Sequence, residues 1–416
     1  MKRRTFLRTG SLGLLAIAAR AEEKTSIEEA FDAEMDAFMQ ARGVPGGALA
    51  VVKNRRLVYA KGYGWADREQ KVPVAPDSLF RIASISKPFT AVAVLQLVES
   101  GRLSLDACAF GLLGFDQTKA ADPRLFQITI GQLLHHTGGW NRDSSGDPMF
   151  RAQEIAASLG EAPPARPDAV IRWMLGQRLD FDPGSAYAYS NFGYCVLGRV
   201  IEKITGRSYE TAVREKVLAP AGIRAMRIGA SLRAGAAPSE VAYYTAKDGT
   251  ARSVFDTPPE TVPWPYGGFH LEAMDAHGGW IASVVDLARF AAALDDPAHS
   301  PLLRRETIDT LYAPPSAPVS RQPDGALTDA YYACGWSVRP VGKSGRANYW
   351  HNGSLPGTST LLVRRHDGLS WAVCFNQRSE DAGLPDSAID PALHRAADRV
   401  KTWPEGTALS KPEHRH

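Results

Sequence analysis

The chain has 416 residues, of which 44% are hydrophobic and 22% charged, with glycine and proline at ordinary levels. This composition is typical of a globular protein and excludes a disordered, collagen-like or membrane-spanning chain. The formal net charge of +3 becomes −2 when residues 1–21 are left out, because 43 bases then face 45 acids. We therefore expect no nucleic-acid partner bound through overall charge.

The N-terminus has the pattern of an export signal. The pair Arg3-Arg4 precedes a Phe-Leu and a further base, residues 12–19 are apolar, and residues 19–21 have the small-x-small pattern of a cleavage site. We predict a twin-arginine-type signal peptide over residues 1–21 and export to the periplasm or cell exterior. The alternative is a basic amphipathic tail that stays on the protein. No run reaches the roughly 18 apolar residues of a membrane span, so we expect no stable membrane insertion after cleavage.

The sequence of the N-terminal part of the mature chain predicts a helix followed by a β-hairpin. Apolar residues at helical spacing predict a helix over residues 25–42. Two short apolar runs, 48–52 and 57–63, flank a basic turn and predict a β-hairpin. Residues 88–98 are apolar on every face, which indicates a buried helix.

The middle of the chain predicts helices joined by irregular connections, and the C-terminal part predicts strands. The predicted helices cover 168–175, 192–204 and 283–294, and residues 231–270 are irregular. Strands are expected at 335–338, 347–350, 358–365 and 370–375, and a last helix at 389–400. A polar tail, 405–416, is expected to be mobile.

These elements predict an α+β fold. Strands from both chain ends would form one antiparallel sheet flanked by helices. We predict an α/β domain built from 22–104 and 281–404, with a mainly helical domain, 105–280, inserted between them. The four cysteines form neither a zinc-type pair nor a Cys-x-x-Cys motif, and a disulfide stays open.

A serine and a lysine lie three positions apart before the predicted buried helix. Residues i and i+3 share a helix face, so Lys87 would lie beside the Ser84 hydroxyl. Pro88 is tolerated only in the first turn, which places Ser84 near the helix N-terminus, where the dipole favours negative charge. A buried lysine has a depressed pKa and can accept a proton. The alternative is a capping serine with a solvated lysine.

A second polar motif, Tyr189-Ser190-Asn191, precedes the helix predicted at 192–204. Other hydrolase motifs are absent from the sequence. No serine has glycine at both −2 and +2, which excludes the α/β-hydrolase nucleophile elbow. The sequence also contains no His-Glu-x-x-His zinc motif and no phosphate-binding Gly-x-x-x-x-Gly-Lys loop.

The order and spacing of these motifs resemble the serine hydrolases that include class C β-lactamases, D,D-peptidases, D-aminopeptidases and family VIII carboxylesterases. Ser84-Ile85-Ser86-Lys87 is similar to their first motif and Tyr189-Ser190-Asn191 to their second. The third motif lies on a C-terminal strand in those proteins. Of three His-x-Gly sequences, the one at His136 precedes the tyrosine motif, the one at His277 precedes a helix, and only the one at His351 ends a predicted strand. His136 and His277 are expected to have structural roles, in packing or in fixing loops. The resemblance covers residues 25–402.

The resemblance implies a role for each motif residue. Ser84 would attack a carbonyl carbon and form an acyl-enzyme, and Lys87 and Tyr189 would relay its proton. Asn191 would hold the acyl-side amide or orient Lys87. The backbone N–H groups of Ser84 and Ser354 would form the oxyanion hole. His351, with Gly353 in the same motif, would line the cleft on the leaving-group side. No metal and no organic cofactor are expected.

The third motif and the aromatic residues point to different substrates. Class C β-lactamases have lysine in the place of His351, and a mostly neutral histidine weakens the case for a β-lactamase. Peptidases acting on D-residues in this group carry His-x-Gly. An aromatic cleft would instead suit apolar acyl groups. The candidate aromatic residues, each of which could equally be a core anchor, are Trp140, Trp264, Tyr266, Phe269, Trp280 and Trp350.

The sequence therefore predicts a serine hydrolase of small-molecule esters or amides, leaning to a promiscuous carboxylesterase. The alternatives are a D,D-carboxypeptidase or D-aminopeptidase acting on D-peptides, a β-lactamase, an acyltransferase, and a non-catalytic penicillin-binding protein. No oligomeric state is predicted.

Overall fold

The computed structural model describes residues 26–319, 321, 327, 330–342 and 345–409. The predicted export signal, residues 1–21, lies outside the described residues, as do residues 410–416 of the predicted tail. Within the described ranges, no helix combines the length and the apolar character needed to cross a membrane.

The helices lie in two groups, one at the chain ends and one between residues 105 and 280. Short 3₁₀ turns and one π-helical turn, Arg214–Leu218, connect several of them. The α-helices are α1 Ile27–Arg42, α2 Ser86–Glu99, α3 Ala109–Leu113, α4 Ile130–Leu134, α5 Arg142–Ser145, α6 Ala152–Ser158, α7 Pro167–Leu175, α8 Asn191–Thr205, α9 Tyr209–Val213, α10 Val284–Ala293, α11 Arg305–Tyr312 and α12 Ile389–Arg399.

The strands form one large antiparallel sheet and two small ones. The large sheet has the order β14-β2-β1-β13-β12-β11-β10-β9, with β3 paired to β2. The small sheets have the orders β4-β8-β5 and β6-β7. The strands are β1 Gly46–Lys53, β2 Arg56–Asp67, β3 Val72–Pro73, β4 Phe80–Arg81, β5 Arg227–Ile228, β6 Thr250–Arg252, β7 Thr261–Pro263, β8 Trp280–Ala282, β9 Tyr331–Tyr332, β10 Ser337–Val341, β11 Arg346–Leu355, β12 Thr358–Arg364, β13 Leu369–Phe375 and β14 Thr407–Ala408.

Helix α1 ends at Arg42, as its sequence predicts, and begins at Ile27, two residues after the predicted start. Ser26 and Glu29 form a reciprocal capping box, which satisfies two backbone N–H groups that have no partner in the helix. Gly43 ends the helix in the left-handed conformation at φ 61°, which glycine adopts without steric cost. The buried stripe, which includes Phe31 and Met35, packs on the sheet beside α12.

The large sheet separates two apolar cores because side chains alternate along each strand. On one face, Leu49 and Val51 of β1 pack with α1 and α12. On the other face, Ala48 and Ala50 join the larger core, which contains α2, α8 and α10. That larger core continues into the helices between residues 105 and 280. Helix α2, which follows Ser84, is therefore held between the sheet and the helical region.

The predicted fold class, an antiparallel sheet flanked by helices, is confirmed. Strand β11 is longer than predicted and runs through the third motif to Leu355, and β10 begins at Ser337 because Gly335 makes a left-handed turn at φ 76°. The prediction of a mobile tail is wrong for residues 407 and 408, which pair with β2. Helix α11 was not predicted. Within the described residues, all four cysteines are free thiols.

Candidate active site

Ser84 lies in a 3₁₀ turn, Ala83–Ile85, which leads directly into helix α2. Ala83 has φ 47°, a conformation that is uncommon for a residue with a side chain and is found preferentially at functional sites. The carbonyl of Ala83 accepts a hydrogen bond from the Ser86 hydroxyl at 2.6 Å, which holds the turn. The Ser84 side chain is thereby presented at the helix N-terminus, as predicted from Pro88.

Lys87 is fully buried, with 0% of its surface exposed, and its Nζ has three hydrogen-bond partners. Nζ lies 3.1 Å from the Ser84 Oγ, 2.7 Å from the Asn191 Oδ1 and 2.9 Å from the backbone oxygen of His277. Burial lowers the pKa of Lys87 well below its usual value, because a charged ammonium is poorly solvated there. The structure therefore contradicts the alternative in which Lys87 is solvated.

Asn191 is the first residue of α8 and connects Lys87 to a residue that no sequence motif indicated. Its Nδ2 donates to the Asp147 Oδ2 at 2.6 Å. Ser190 caps the helix by accepting from the Gly193 N–H at 3.1 Å, which fixes where Asn191 lies. Asp147 comes from a turn 44 residues earlier in the chain, so no local spacing could have predicted this contact.

Tyr189 packs over the Lys87 amine, with its ring centroid 4.7 Å from Nζ. Among the described residues its buried hydroxyl has no hydrogen-bond partner. Burial raises the pKa of Tyr189, and interaction with the Ser84 hydroxyl offsets part of this rise. The guanidinium of Arg142 lies 4.9 Å from the same ring centroid. Tyr189 therefore lies close to the Lys87 amine and to the Arg142 guanidinium, beside the candidate nucleophile.

His351 lies within β11 rather than at its end, and it is only 3% exposed. Its Nδ1 lies 2.7 Å from the Asn352 carbonyl, which can only accept, so Nδ1 carries the proton. Its Nε2 then accepts from the Tyr332 hydroxyl at 2.9 Å. Burial, reinforced by Lys87, lowers the pKa of His351 to about 3, and the ring is neutral at pH 7. Both ring nitrogens are engaged, so this geometry favours a role in holding Tyr332 over direct contact with a substrate.

The other two histidines of His-x-Gly sequences are buried and lie next to the motif residues. His136 accepts a hydrogen bond from the Ser190 N–H at 3.2 Å through Nδ1, and its ring centroid lies 4.3 Å from that of Tyr189. His277 contributes its backbone carbonyl to Lys87. These contacts agree with the structural roles expected for both residues.

Gly353 brings strand β11 against the turn that carries Ser84. A Cβ at this position would lie 2.3 Å from the Ile82 oxygen and 2.3 Å from the Thr360 Oγ1. Those two atoms are themselves hydrogen-bonded at 3.0 Å, so neither can move aside freely. Ser354 follows on β11, is exposed, and pairs with Ser359 of β12. Its N–H as an oxyanion donor stays a prediction.

We expect Gly353→Ala to lower kcat/KM at least tenfold and to destabilise the fold by about 1–3 kcal/mol, because the new methyl group separates β11 from the Ser84 turn. Gly111→Ala is the matched control, since a Cβ there meets nothing within 4 Å. Ester hydrolysis and thermal unfolding of both variants measure the two effects. Wild-type activity and melting temperature in Gly353→Ala would contradict the close approach.

The aromatic residues considered from sequence divide between the core and the neighbourhood of Ser84. Trp140 and Trp280 are buried in the larger core, which is the core-anchor alternative. Trp264 and Phe269 pack in an apolar cluster with Ala83, the residue before Ser84. This cluster, which we call the Ala83 cluster, also contains Leu271, Met274 and Leu355.

Tyr266 and Trp350 have different surroundings. Tyr266 packs against the larger core, and its hydroxyl oxygen accepts a hydrogen bond from the backbone N–H of Tyr243 at 2.8 Å. Trp350 lines a cavity of about 630 Å³ together with Tyr187 and Tyr332. Because Tyr332 also bonds to His351, this cavity adjoins the motif residues. In the described part of the chain, no group of three acidic, histidine or cysteine side chains could hold a metal ion.

The fold and this arrangement of a serine, a buried lysine and a tyrosine define a serine hydrolase. The Beta-lactamase family matches residues 31–394, and the chain belongs to this family.

The proteins to which the chain is similar include a penicillin-binding protein, an esterase and an amidase. The chain is 30% identical to penicillin-binding protein 4 of Amycolatopsis lactamdurans over 352 residues. The aligned region covers 82% of this chain and 83% of the relative. It is 34% identical over 206 residues to esterase EstB of Burkholderia gladioli, which covers 49% of this chain and 52% of that one. The solved structure of D-amino acid amidase from Ochrobactrum anthropi SV3 is similar in fold, with a TM-score of 0.69, 20% identity and coverage of 90% and 98%.

Proposed function

We propose that the protein is a carboxylesterase that acts through an acyl-enzyme on Ser84. The observation that carries this proposal is the buried Lys87 amine, 3.1 Å from the Ser84 Oγ, with its pKa lowered by burial. A neutral amine at that distance can remove the serine proton as the oxygen attacks a carbonyl carbon.

The reaction then follows in two halves. Ser84 Oγ bonds to the carbonyl carbon, its proton passes to Lys87, and the carbonyl oxygen becomes an oxyanion held by the N–H groups of Ser84 and Ser354. The C–O bond to the leaving alcohol breaks, and the alcohol takes a proton relayed through Lys87 and Tyr189. Water repeats the sequence on the acyl-enzyme, which releases the acid and restores Ser84.

Three observations favour an ester of an apolar acid as the substrate. Tyr187, Tyr332 and Trp350 line the cavity that adjoins the motif residues, and such an aromatic lining suits an apolar acyl group. His351 is neutral and buried, so the third motif offers no cation for the carboxylate of a β-lactam. The partial similarity to an esterase supports the same choice.

A D-amino-acid amidase or peptidase is the second candidate. The His-x-Gly form of the third motif, His351-Asn352-Gly353, favours it, because peptidases acting on D-residues in this group carry that motif. The same Ser84 chemistry would cleave an amide, with an amine in place of the alcohol as leaving group. We also propose that the mature chain is exported, as the twin-arginine pattern in residues 1–21 predicts.

The test compares p-nitrophenyl esters of acetate, butyrate and octanoate with the p-nitroanilides of D-alanine and D-phenylalanine. We expect kcat/KM for butyrate to exceed that for either D-anilide at least 100-fold. The p-nitroanilides of the L-amino acids control for stereospecificity. Faster turnover of a D-anilide than of every ester would move the assignment to the second candidate.

A further inference from the structure

We propose that Asp147 is a positioning residue of the acylation step. It fixes the orientation of the Asn191 side-chain amide, and that amide directs the lone pair of the Lys87 amine towards the Ser84 hydroxyl. This inference rests on the proposed roles of Ser84 and Lys87, and it assigns a role to a residue that no motif contains.

The first step is that Asp147 leaves Asn191 only one orientation. An asparagine side chain presents an acceptor oxygen on one side and a donor NH₂ on the other, whereas a carboxylate only accepts. Since the Asp147 Oδ2 lies 2.6 Å from the Asn191 amide, the NH₂ must face Asp147. The oxygen of Asn191 therefore faces Lys87, 2.7 Å from Nζ.

The second step concerns the two N–H groups of a neutral lysine. A neutral amine has two N–H donors and one lone pair. The Asn191 Oδ1 and the His277 backbone oxygen can only accept, so they take both donors. The lone pair is left for the third neighbour, the Ser84 Oγ at 3.1 Å, which is the arrangement required to remove the serine proton.

A reversed Asn191 amide would spoil this arrangement. Its NH₂ would then face Lys87 and attract the lone pair of the amine, and an N–H of Lys87 would point at Ser84 instead. Serine would be hydrogen-bonded as an acceptor, and its proton would have no base within reach. The orientation of one amide thus decides whether the Lys87 lone pair meets the nucleophile.

Asp147 is itself held in place by its other oxygen. It begins the turn Pro148–Phe150, and its Oδ1 accepts from the Met149 N–H at 3.1 Å. Both carboxylate oxygens are therefore used, one for the turn and one for Asn191. An asparagine at position 147 has one acceptor oxygen for these two donors. If that oxygen serves Met149, its NH₂ faces Asn191 and forces the reversed orientation.

The charge of Asp147 also affects the pKa of Lys87. Asp147 raises the pKa of Lys87 against the larger effect of burial, and Arg142 lowers it. The other titratable groups around the amine are a set of histidine and tyrosine rings. These rings belong to His136, Tyr189, Tyr194, His277 and His351.

The experiment uses three variants of the full chain and the hydrolysis of p-nitrophenyl butyrate from pH 6 to 10. Asp147→Asn should lower kcat at least tenfold with KM changed less than twofold. Asp143→Asn changes an exposed aspartate in the preceding helix α5, and this matched control should behave as wild type. The double variant Asp147→Asn with Asn191→Asp exchanges the amide and the carboxylate.

In the double variant, the NH₂ of residue 147 can again donate to residue 191, which now presents only acceptors to Lys87. We expect recovery of at least a third of the lost kcat at the pH optimum. The acid limb of the kcat/KM profile should move to higher pH, because a carboxylate next to Lys87 raises its pKa. A role of Asp147 in stability alone would not give this recovery of kcat.

Two results would overturn the proposal. One is an Asp147→Asn enzyme whose kcat stays within twofold of wild type. The other is a double variant that stays as inactive as Asp147→Asn at every pH, although circular dichroism shows it folded. Full activity of Ser84→Ala would instead overturn the proposed function, so the two failures are distinguishable.

Discussion

Ser84→Ala is expected to lower kcat/KM for p-nitrophenyl butyrate by about 10⁴-fold or more, which is the scale of loss when a serine nucleophile is removed. The variant loses only a hydroxyl at a half-buried position, so its melting temperature should stay within about 2 °C of wild type. A fluorophosphonate probe, followed by intact mass, should modify the wild type and leave the variant unmodified.

Ser86→Ala is the matched control for this experiment. Ser86 lies two positions after Ser84 and is buried. Its hydroxyl donates to the backbone oxygen of Ala83 and accepts from the backbone N–H of Trp280. We expect this variant to be less stable and still to react with the probe, because the nucleophile is intact. Labelling of Ser84→Ala at the wild-type rate would assign the nucleophile to another residue.

Lys87→Met is expected to lower kcat at least about 10³-fold, since it removes the base that the serine hydroxyl faces. It should also change how stability depends on pH. Burial lowers the folded-state pKa of Lys87, whereas the unfolded chain keeps a lysine pKa near 10.4. Between these two values the unfolded state binds the extra proton, so the free energy of unfolding rises with pH.

The comparison that isolates this effect is wild type against Lys87→Met. From pH 7 to 10, the difference in unfolding free energy, wild type minus variant, should grow by at most about 1.4 kcal/mol per pH unit. Lys61→Met controls for the loss of any lysine, because Lys61 is exposed and pairs with Asp32. A difference that is flat over this range would mean that Lys87 is charged in the folded protein.

Local patterns predicted the elements that carry their own signals. Helices α1 and α12 have an apolar stripe at helical spacing. Strands β12 and β13 contain the apolar runs 361–363 and 371–375, on either side of the Asp367-Gly368 turn. The same holds for Ser84 and Lys87, because a spacing of three on a helix is a local property. These features depend only on neighbours in the sequence.

Features that depend on distant residues were not predictable in this way. Asp147 matters through a hydrogen bond to Asn191, and a single aspartate in a loop has no distinguishing pattern. The hydrogen bond of His351 to Tyr332 joins two different strands. The extension of β11 beyond residue 350 follows from its pairing with β12, which allows an otherwise polar stretch to continue as strand.

The pairing of β1 with β13 has a consequence for how the protein is made. The Gly46 N–H donates to the Asn376 side chain, a partner 330 positions later in the chain. During synthesis, β1 and the Ser84 turn leave the ribosome long before β13 and Gly353. Until β13 is made, the edge of β1 that pairs with it has no partner. A polypeptide released early from the ribosome would expose that edge and could not hydrolyse a substrate. Hydrolytic activity is therefore expected only from a chain whose synthesis is complete.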